Sequence, residues 1–262
     1  MNLKNKKVII TGGAAGIGKE MVKQLLDKGA YVSALDINKE GLENLKKELN
    51  NDRLSVFEVN MADNNSLLKF KEDYYKVHSE VDCLINNAGI IQPFVHVDEL
   101  DDKTIDRVMD VNFFGPVNLI RLFIKDLKKR PISNITNISS MGGFFPFPGQ
   151  TMYGASKAAL KIFTEGLYAE SLDSNMKVMV VFPGAINTDI SKNSNVETKS
   201  NEGNSKMKTL PASEAARQII KGIENNKFKL YVGNDAKFMH LLYTLNAKRA
   251  IKFINKMMKN ML

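Results

Sequence analysis

Bare backbone N–H groups bind pyrophosphate well, and Thr11-Gly-Gly-Ala-Ala-Gly-Ile-Gly18 supplies them directly after the apolar run Val8-Ile9-Ile10. A strand that enters a tight glycine turn and then a helix presents free N–H groups and a helix N-terminus to phosphate. The glycines divide the work. One makes the turn, one admits the phosphate, and one lets the helix pack on the strand. Asp36 ends the next apolar run, 18 residues past Gly18. An acidic side chain there accepts hydrogen bonds from ribose hydroxyls and repels a 2′-phosphate. Neither Ile37 nor the glycine turn brings a Lys or Arg to neutralise that phosphate. The pattern favours NAD over NADP. Asp36 could instead cap the following helix, a task Asn38 is equally suited to. Tyr153 and Lys157 stand four residues apart in Tyr153-Gly-Ala-Ser-Lys157, which on a helix places a phenol and an ammonium on one face. A neighbouring cation favours the phenolate and lowers a pKa that is about 10 in free tyrosine.

Seven strand-like segments would position these residues: Lys7–Ile10, Val32–Leu35, Leu54–Val59, Asp82–Asn86, Asn134–Ile138, Val178–Phe182 and Lys229–Val232. Between them run stretches of helical period, among them Gly16–Lys28, the Leu42, Leu45, Leu49 stripe, and Val108–Leu127. Near-continuous apolar strands alternating with helices predict an α/β fold. The expected architecture is one doubly wound parallel sheet of Rossmann type, about seven strands with helices on both faces. Residues 1–233 form that domain, and 234–262 form an amphipathic helical extension. The Ser-, Asn- and Lys-rich stretch Ser191–Lys208 follows a strand end where such sheets bind ligands. It reads as a flap over the site, or as an insertion without a role.

The 262 residues are 44% hydrophobic and 25% charged, ordinary globular values. One cysteine, Cys83, excludes an internal disulfide and fits a reducing compartment. His78, His96, His240 and Cys83 show no metal-ligand spacing, so no metal is expected. With no signal-like leader and no long apolar run, a cytoplasmic location is expected. The net charge of +8 is concentrated in the tail. Seven Lys and one Arg against Asp235 alone give +7 from Lys227 onward, and the first 226 residues carry +1. A neutral body argues against nucleic-acid binding.

Six segments, in order, resemble the short-chain dehydrogenase/reductases over residues 6–233. They are Thr11–Gly18 (TGxxxGxG), Asn86–Gly89 (NNAG), Asn112, Asn137–Ser140 (NxSS), Tyr153–Lys157 (YxxxK) and Pro183–Thr188 (PGxIxT). The resemblance implies an NAD(P)-dependent oxidoreductase that moves hydride between nicotinamide and a carbonyl or secondary alcohol. It implies Tyr153 as general acid/base and Lys157 as the group that lowers the phenol's pKa and binds the nicotinamide ribose. Ser140 would steady the substrate oxygen, and Asn112 would hold a water linking Lys157 to solvent. For the cofactor it implies Gly12, Gly16, Ile17 and Gly18 at the pyrophosphate and Asp36 at the adenosine ribose. Asn60 and Met61 would border the adenine, Asn87 the adenosine ribose, and Ile186 and Thr188 the carboxamide. The family's habit is the homodimer or homotetramer. Two alternatives stay open: an acyl-carrier-protein ketoreductase, and a dinucleotide-sensing binding protein without catalysis.

Between Ser140 and Tyr153 lie Phe144, Phe145, Phe147, Met141 and Met152, with Phe94 and Val95 after an earlier strand. These residues predict an apolar pocket for a small lipophilic carbonyl or alcohol, or else packing against the core or a neighbouring subunit. In the tail, Phe238, Leu241, Leu242 and Leu245 form one stripe. Ala250, Ile251, Ile254, Met257, Met258 and Met261 form a second, opposite Lys252, Lys256 and Lys259. That pattern suits a peripheral contact with anionic lipid, or a helix packed on its own domain or a partner with its basic side in water.

Overall fold

The computed structural model describes residues 1–188, 190–194, 196 and 209–258. The main sheet is built from β1 (Lys7–Thr11), β2 (Tyr31–Asp36), β3 (Leu54–Glu58), β4 (Cys83–Asn86), β5 (Ser133–Ile138), β6 (Met176–Pro183) and, last, Lys229–Val232. The helices are α1 (Gly16–Asp27), α2 (Lys39–Leu49), α3 (Asn64–Val77), α4 (Asp102–Met109), α5 (Gly115–Lys128) and α6 (Thr151–Ala169). After β6 come β7 (Ile186–Asn187), α7 (Ile190–Asn193), β8 (Leu210–Pro211), α8 (Ala212–Glu224), β9 (Lys229–Val232), α9 (Asn234–Leu245) and α10 (Ala247–Met258).

The strand order is β3-β2-β1-β4-β5-β6-β9, with every pair parallel. This is the doubly wound sheet the alternation predicts. The order reverses between β1 and β4, which opens a crevice at the strands' C-terminal ends. Val8, Ile10, Val32 and Ile85 turn to the face covered by α1, α2 and α8. Ile9, Leu35, Leu84 and Ile135 turn to the face covered by α3, α5 and α6. Period-2 alternation splits each apolar run between two cores.

β5 is buried at all six positions although three are Asn or Thr. Most of its polar side-chain groups are paired within the protein, although Asn134 Nδ2 has no partner among the described residues. Asn86 Nδ2 donates to Asn137 Oδ1 (2.7 Å), and Asn137 Nδ2 donates to Thr164 Oγ1 of α6 (2.8 Å). This chain fixes α6 against the strand that ends at the candidate site, because a buried amide without a partner costs about 1–3 kcal/mol.

Two features differ from the sequence-based expectation. The segment Val108–Leu127 is not one regular helix, since α4 and α5 are joined by a π-helical turn at Asp110–Phe114. Two short strands, β7 and β8, pair with each other apart from the main sheet. Most of the Ser191–Lys208 flap lies outside the described residues. The tail stripes also divide. α9 buries Ala236 and Met239 while leaving Phe238, Leu241 and Leu245 exposed. α10 buries Ala250, Ile254 and Met258 and leaves Ile251 and Met257 exposed. Met261 and Lys259 lie outside the described residues. The buried faces of α9 and α10 pack on Met141, Phe144, Phe145 and Phe147, so the tail folds onto its own domain.

Candidate active site

A cleft of ≈ 700 Å³ runs along the C-terminal ends of β1 to β6. At one end stands the glycine turn. Gly12 has φ +67°, and a Cβ there would come within 2.9 Å of Asn87 Nδ2 and 3.0 Å of Ala88 Cα. Only glycine lets the backbone stay this close to the β4 loop. The Thr11 hydroxyl accepts from the backbone N–H groups of Asn87 (3.0 Å) and Ala88 (2.9 Å). Asn87 Nδ2 donates to the carbonyls of Thr11 (3.0 Å) and Gly12 (3.2 Å). The β1 and β4 ends are thereby locked together, and the turn is preformed. Gly12, Gly16 and Ile17 line the cleft. Gly18 does not. It lies where a Cβ would meet the Gly12 carbonyl oxygen at 1.9 Å, so its place is the packing of α1 on the turn.

Asp36 ends β2 at the cleft wall. Its carboxylate accepts from Ala14 N (3.0 Å) and Asn38 N (3.0 Å), which holds it beside the glycine turn. Asn38, not Asp36, caps α2, accepting from Gly41 N at 3.0 Å. Asn60 and Met61 line the same wall, with Asn60 Oδ1 accepting from Ala62 N (3.0 Å). Ile186 and Thr188 line the opposite side. The Pro183–Ala185 loop beneath them is tied down by Asp235 of α9, whose carboxylate accepts from Ala185 N at 2.6 Å.

At the other end of the cleft stand Ser140, Tyr153 and Lys157. Gly142 sits between the first two, since a Cβ there would be 3.3 Å from Tyr153 Cε1 and 3.5 Å from Ser140 Oγ. Ser140 Oγ accepts from Gly142 N (3.0 Å). Lys157 Nζ donates to the Ile138 carbonyl (3.1 Å) and is buried. Gly89 holds Lys157 and Asn112 together, because a Cβ there would be 2.9 Å from Lys157 Nζ and 3.2 Å from Asn112 Oδ1. Asn112 itself is fully buried in the π-helical turn and does not line the cleft. Its amide is engaged with protein: Oδ1 accepts from Ile90 N (2.9 Å), and Nδ2 donates to Ile90 O (2.9 Å) and Ser156 Oγ (3.0 Å). A π turn at this point aims the side chain inward, a common use of such turns at functional sites.

Burial dominates the electrostatics at this end of the cleft. Burial pushes the Tyr153 phenol above the ordinary tyrosine value, and the Ser140 hydroxyl pulls it back. The direction is upward rather than the lowering that a neighbouring lysine implies. Burial also pushes the Lys157 ammonium down, to about 8. Desolvation disfavours the charged form of each group, so it raises an acid that ionises to an anion and lowers a cation.

For the aromatics the packing alternative holds. Phe144, Phe145 and Phe147 do not line the cleft. They pack with Met141 under α9 and α10, and Phe94 is half-buried in the same cluster. Ile90, Ile91, Ile186 and Ile190 are among the apolar residues that line the cleft.

Gln92 is a residue the sequence does not single out. It is fully buried, and its Oε1 accepts from the first-turn N–H groups of α6, Met152 N (2.8 Å) and Tyr153 N (3.0 Å). Its Nε2 donates to Gly149 O (3.0 Å). Gln150, at the N-cap position of α6, makes no side-chain capping bond; Gln92 caps the helix from another loop. No local signal marks a cap delivered across about 60 residues of chain. Gly143 was equally silent: a Cβ there would meet Ser139 Oγ at 2.4 Å and Lys157 O at 2.9 Å. Replacing Gln92 with Leu leaves two N–H donors unpaired at the helix start and is expected to lower stability by about 1–2 kcal/mol. Turnover is expected to fall with it while the dissociation constant for the dinucleotide holds steady. Thermal melts with steady-state kinetics and a cofactor titration check both, and unchanged kcat would remove Gln92 from the positioning of Tyr153.

Comparison with known proteins identifies the family and the fold. The sequence profile of short chain dehydrogenases matches residues 6–199. The 3-oxoacyl-(acyl-carrier-protein) reductase FabG of Thermotoga maritima is 34% identical over 190 residues, covering 72% of this chain and 77% of that one. A short chain dehydrogenase/reductase of Burkholderia phymatum in complex with NAD superimposes with TM-score 0.81 at 19% identity, over 88% of this chain and 90% of that one. A short chain dehydrogenase of Burkholderia cenocepacia in complex with NADP also has TM-score 0.81, at 24% identity over 97% and 99% of the two chains. Both structures share the fold.

Proposed function

The chain belongs to the short-chain dehydrogenase family, and from that membership we propose that it interconverts an apolar ketone and its secondary alcohol with NAD. The observation that carries the proposal is the convergence of Tyr153, Ser140 and Lys157 at one end of a cleft whose other end is a glycine turn beside Asp36. The residues fit a dinucleotide. The positive φ of Gly12 and Gly16 keeps the turn free of side chains, and the N-terminus of α1 faces the cleft through Gly16 and Ile17. Those two would hold the pyrophosphate, Asp36 a ribose hydroxyl pair, and Asn60 and Met61 the adenine edge. Lys157 would hold the nicotinamide ribose, with Ile186 and Thr188 against the carboxamide. When bound, nicotinamide supplies or accepts the hydride.

The chain's own part is the proton and the developing charge. Tyr153 gives its phenolic proton to the substrate oxygen in the reducing direction and takes it back in the oxidising one. Its upward pKa keeps the proton on the phenol at neutral pH, which suits the acid role. Ser140 accepts from Gly142 N, which leaves its own hydrogen free to donate to the substrate oxygen, where it stabilises negative charge. Lys157, with a pKa near 8 and a hydrogen bond to Ile138 O, stands one helical turn beyond Tyr153 on α6. Asn112 acts through Ser156 and the Ile90 backbone to set the wall against which Lys157 rests.

The choice of NAD rests on Asp36 and on Ile37, which is exposed and carries no charge. The apolar substrate rests on Ile90, Ile91, Ile186 and Ile190. Nicotinamide absorbance, followed with NAD(H) and NADP(H) over ketones and alcohols of graded lipophilicity, tests both. Turnover with NADH is expected to exceed that with NADPH, and Asp36→Ala with Ile37→Arg is expected to reverse the order. Removing one repulsive carboxylate and adding one phosphate partner shifts the ratio by about 10- to 100-fold, at about 1.4 kcal/mol per decade. Preferential use of NADPH on a carrier-bound 3-ketoacyl thioester would replace this proposal with the ketoreductase.

A further inference from the structure

The tail helices present apolar side chains to water as well as to the core. α9 faces the body with Ala236 and Met239, and on the opposite side Phe238, Leu241 and Leu245 are 56%, 59% and 74% exposed. Their spacing of three and four residues puts them on one outward stripe. An ordinary surface helix is polar on that side. α10 adds the exposed Ile251, Phe253 and Met257 on the flanks of its buried stripe.

The polar residues around these six are of one sign. Lys237, Lys248, Arg249, Lys252 and Lys256 are all exposed. No Asp or Glu follows Asp235 in the chain, and Asp235 is occupied with Ala185 N. No described carboxylate forms an ion pair with any of the five. The surface therefore combines exposed large apolar groups with uncompensated cations.

We propose that the outer face of α9 and α10 docks on an anionic phospholipid bilayer. A bilayer surface takes both chemistries at once: apolar side chains enter the acyl boundary while Lys and Arg stay at the phosphate level. A second copy of the chain meets only half of the requirement, since a two-fold contact brings like charge against like. Polyanions alone would leave Phe238, Leu241 and Leu245 in water. Among the described residues no helix is long and apolar enough to cross a membrane, so the contact is peripheral. The proposal stands on the packing and charge of the tail and is independent of the redox reaction.

Vesicle flotation with the full chain tests it. Phosphatidylcholine vesicles serve as the neutral arm, and phosphatidylcholine with about a third phosphatidylglycerol as the anionic one. The chain is expected to float with anionic vesicles and to stay behind with neutral ones, and to bind less as salt rises. Two variants each weaken binding by about tenfold or more: Phe238→Ser/Leu241→Ser/Leu245→Ser, and Lys248→Glu/Lys252→Glu/Lys256→Glu. All the replaced side chains are exposed, and melting curves matching the parent confirm folded variants. Failure of the parent chain to float at low salt overturns the proposal. So does undiminished flotation of the serine variant, which reduces the contact to charge adsorption. Self-association in sedimentation that the serine variant abolishes, without flotation, assigns the face to a second copy instead.

Discussion

Tyr153→Phe is expected to lower kcat by about 10²- to 10⁴-fold, the usual contribution of a positioned proton donor, and to leave cofactor affinity within about twofold. The half-buried Tyr153 lines the cleft beside Gly142 and Ser140. Phenylalanine keeps the ring and its contacts and deletes only the hydroxyl, so the cleft and the glycine turn are undisturbed. The turn's own locks, Thr11 to the β4 loop and Asp36 to Ala14, lie at the far end of the cleft. Stopped-flow or steady-state kinetics in both directions, beside NADH fluorescence titration, separate kcat from binding. Full turnover in the variant would move the acid role to another group, and Ser140→Ala would then be the informative comparison.

Lys157→Met is expected to abolish efficient turnover and to stabilise the fold at neutral pH. The two effects have one cause. Burial holds Lys157 at about 8 against an ordinary value of 10.5. Between these values the folded chain binds fewer protons than the unfolded one, so stability rises with pH through that window. Below pH about 8 the whole cost of burying the ammonium is present, on the order of 3 kcal/mol at 1.36 kcal/mol per unit. Methionine has similar length and no charge, but it gives up the hydrogen bond to Ile138 O, which returns about 1 kcal/mol. The net gain is about 2 kcal/mol, or a rise in melting temperature of about 4–8 °C for a domain of this size. The gain should shrink as pH climbs from 8 to 10.5, where the parent lysine is neutral when folded. Melting curves of both proteins across that range check the sign. A variant that melts lower than its parent at pH 7 would mean that the Ile138 hydrogen bond outweighs desolvation. A lysine held at such a cost in a structural role alone would be unexpected, since strain of this kind concentrates at functional sites.

The same contrast between local and distant causes runs through the fold. Most of the strands were legible because each is a short apolar run between turn residues, as burial on both faces of a parallel sheet favours, whereas β5 carries Ser, Asn and Thr at four of its six positions. The glycine turn and Asp36 were legible because backbone approach and strand end are local properties. The Tyr153–Lys157 pair was legible because a helix fixes its spacing. Asn112 was legible as a residue and not as a geometry. A π turn differs from an α turn by one hydrogen-bond step, and this one ends at Gly115, which is pressed against the Met61 carbonyl, where a Cβ would sit at 2.5 Å.

The sequence by itself determined the order of the main elements, the doubly wound sheet, the glycine turn and the residues able to handle a proton. Tertiary structure alone decided that Gln92 caps α6, that burial raises Tyr153, and that Phe144, Phe145 and Phe147 face the tail rather than the cleft. It also decided which stripe of α9 is buried and which is left in water. The physical reason is that an apolar pattern states only that a face leaves water. What covers that face, and which polar groups burial then strips of solvent, depends on partners far away along the chain.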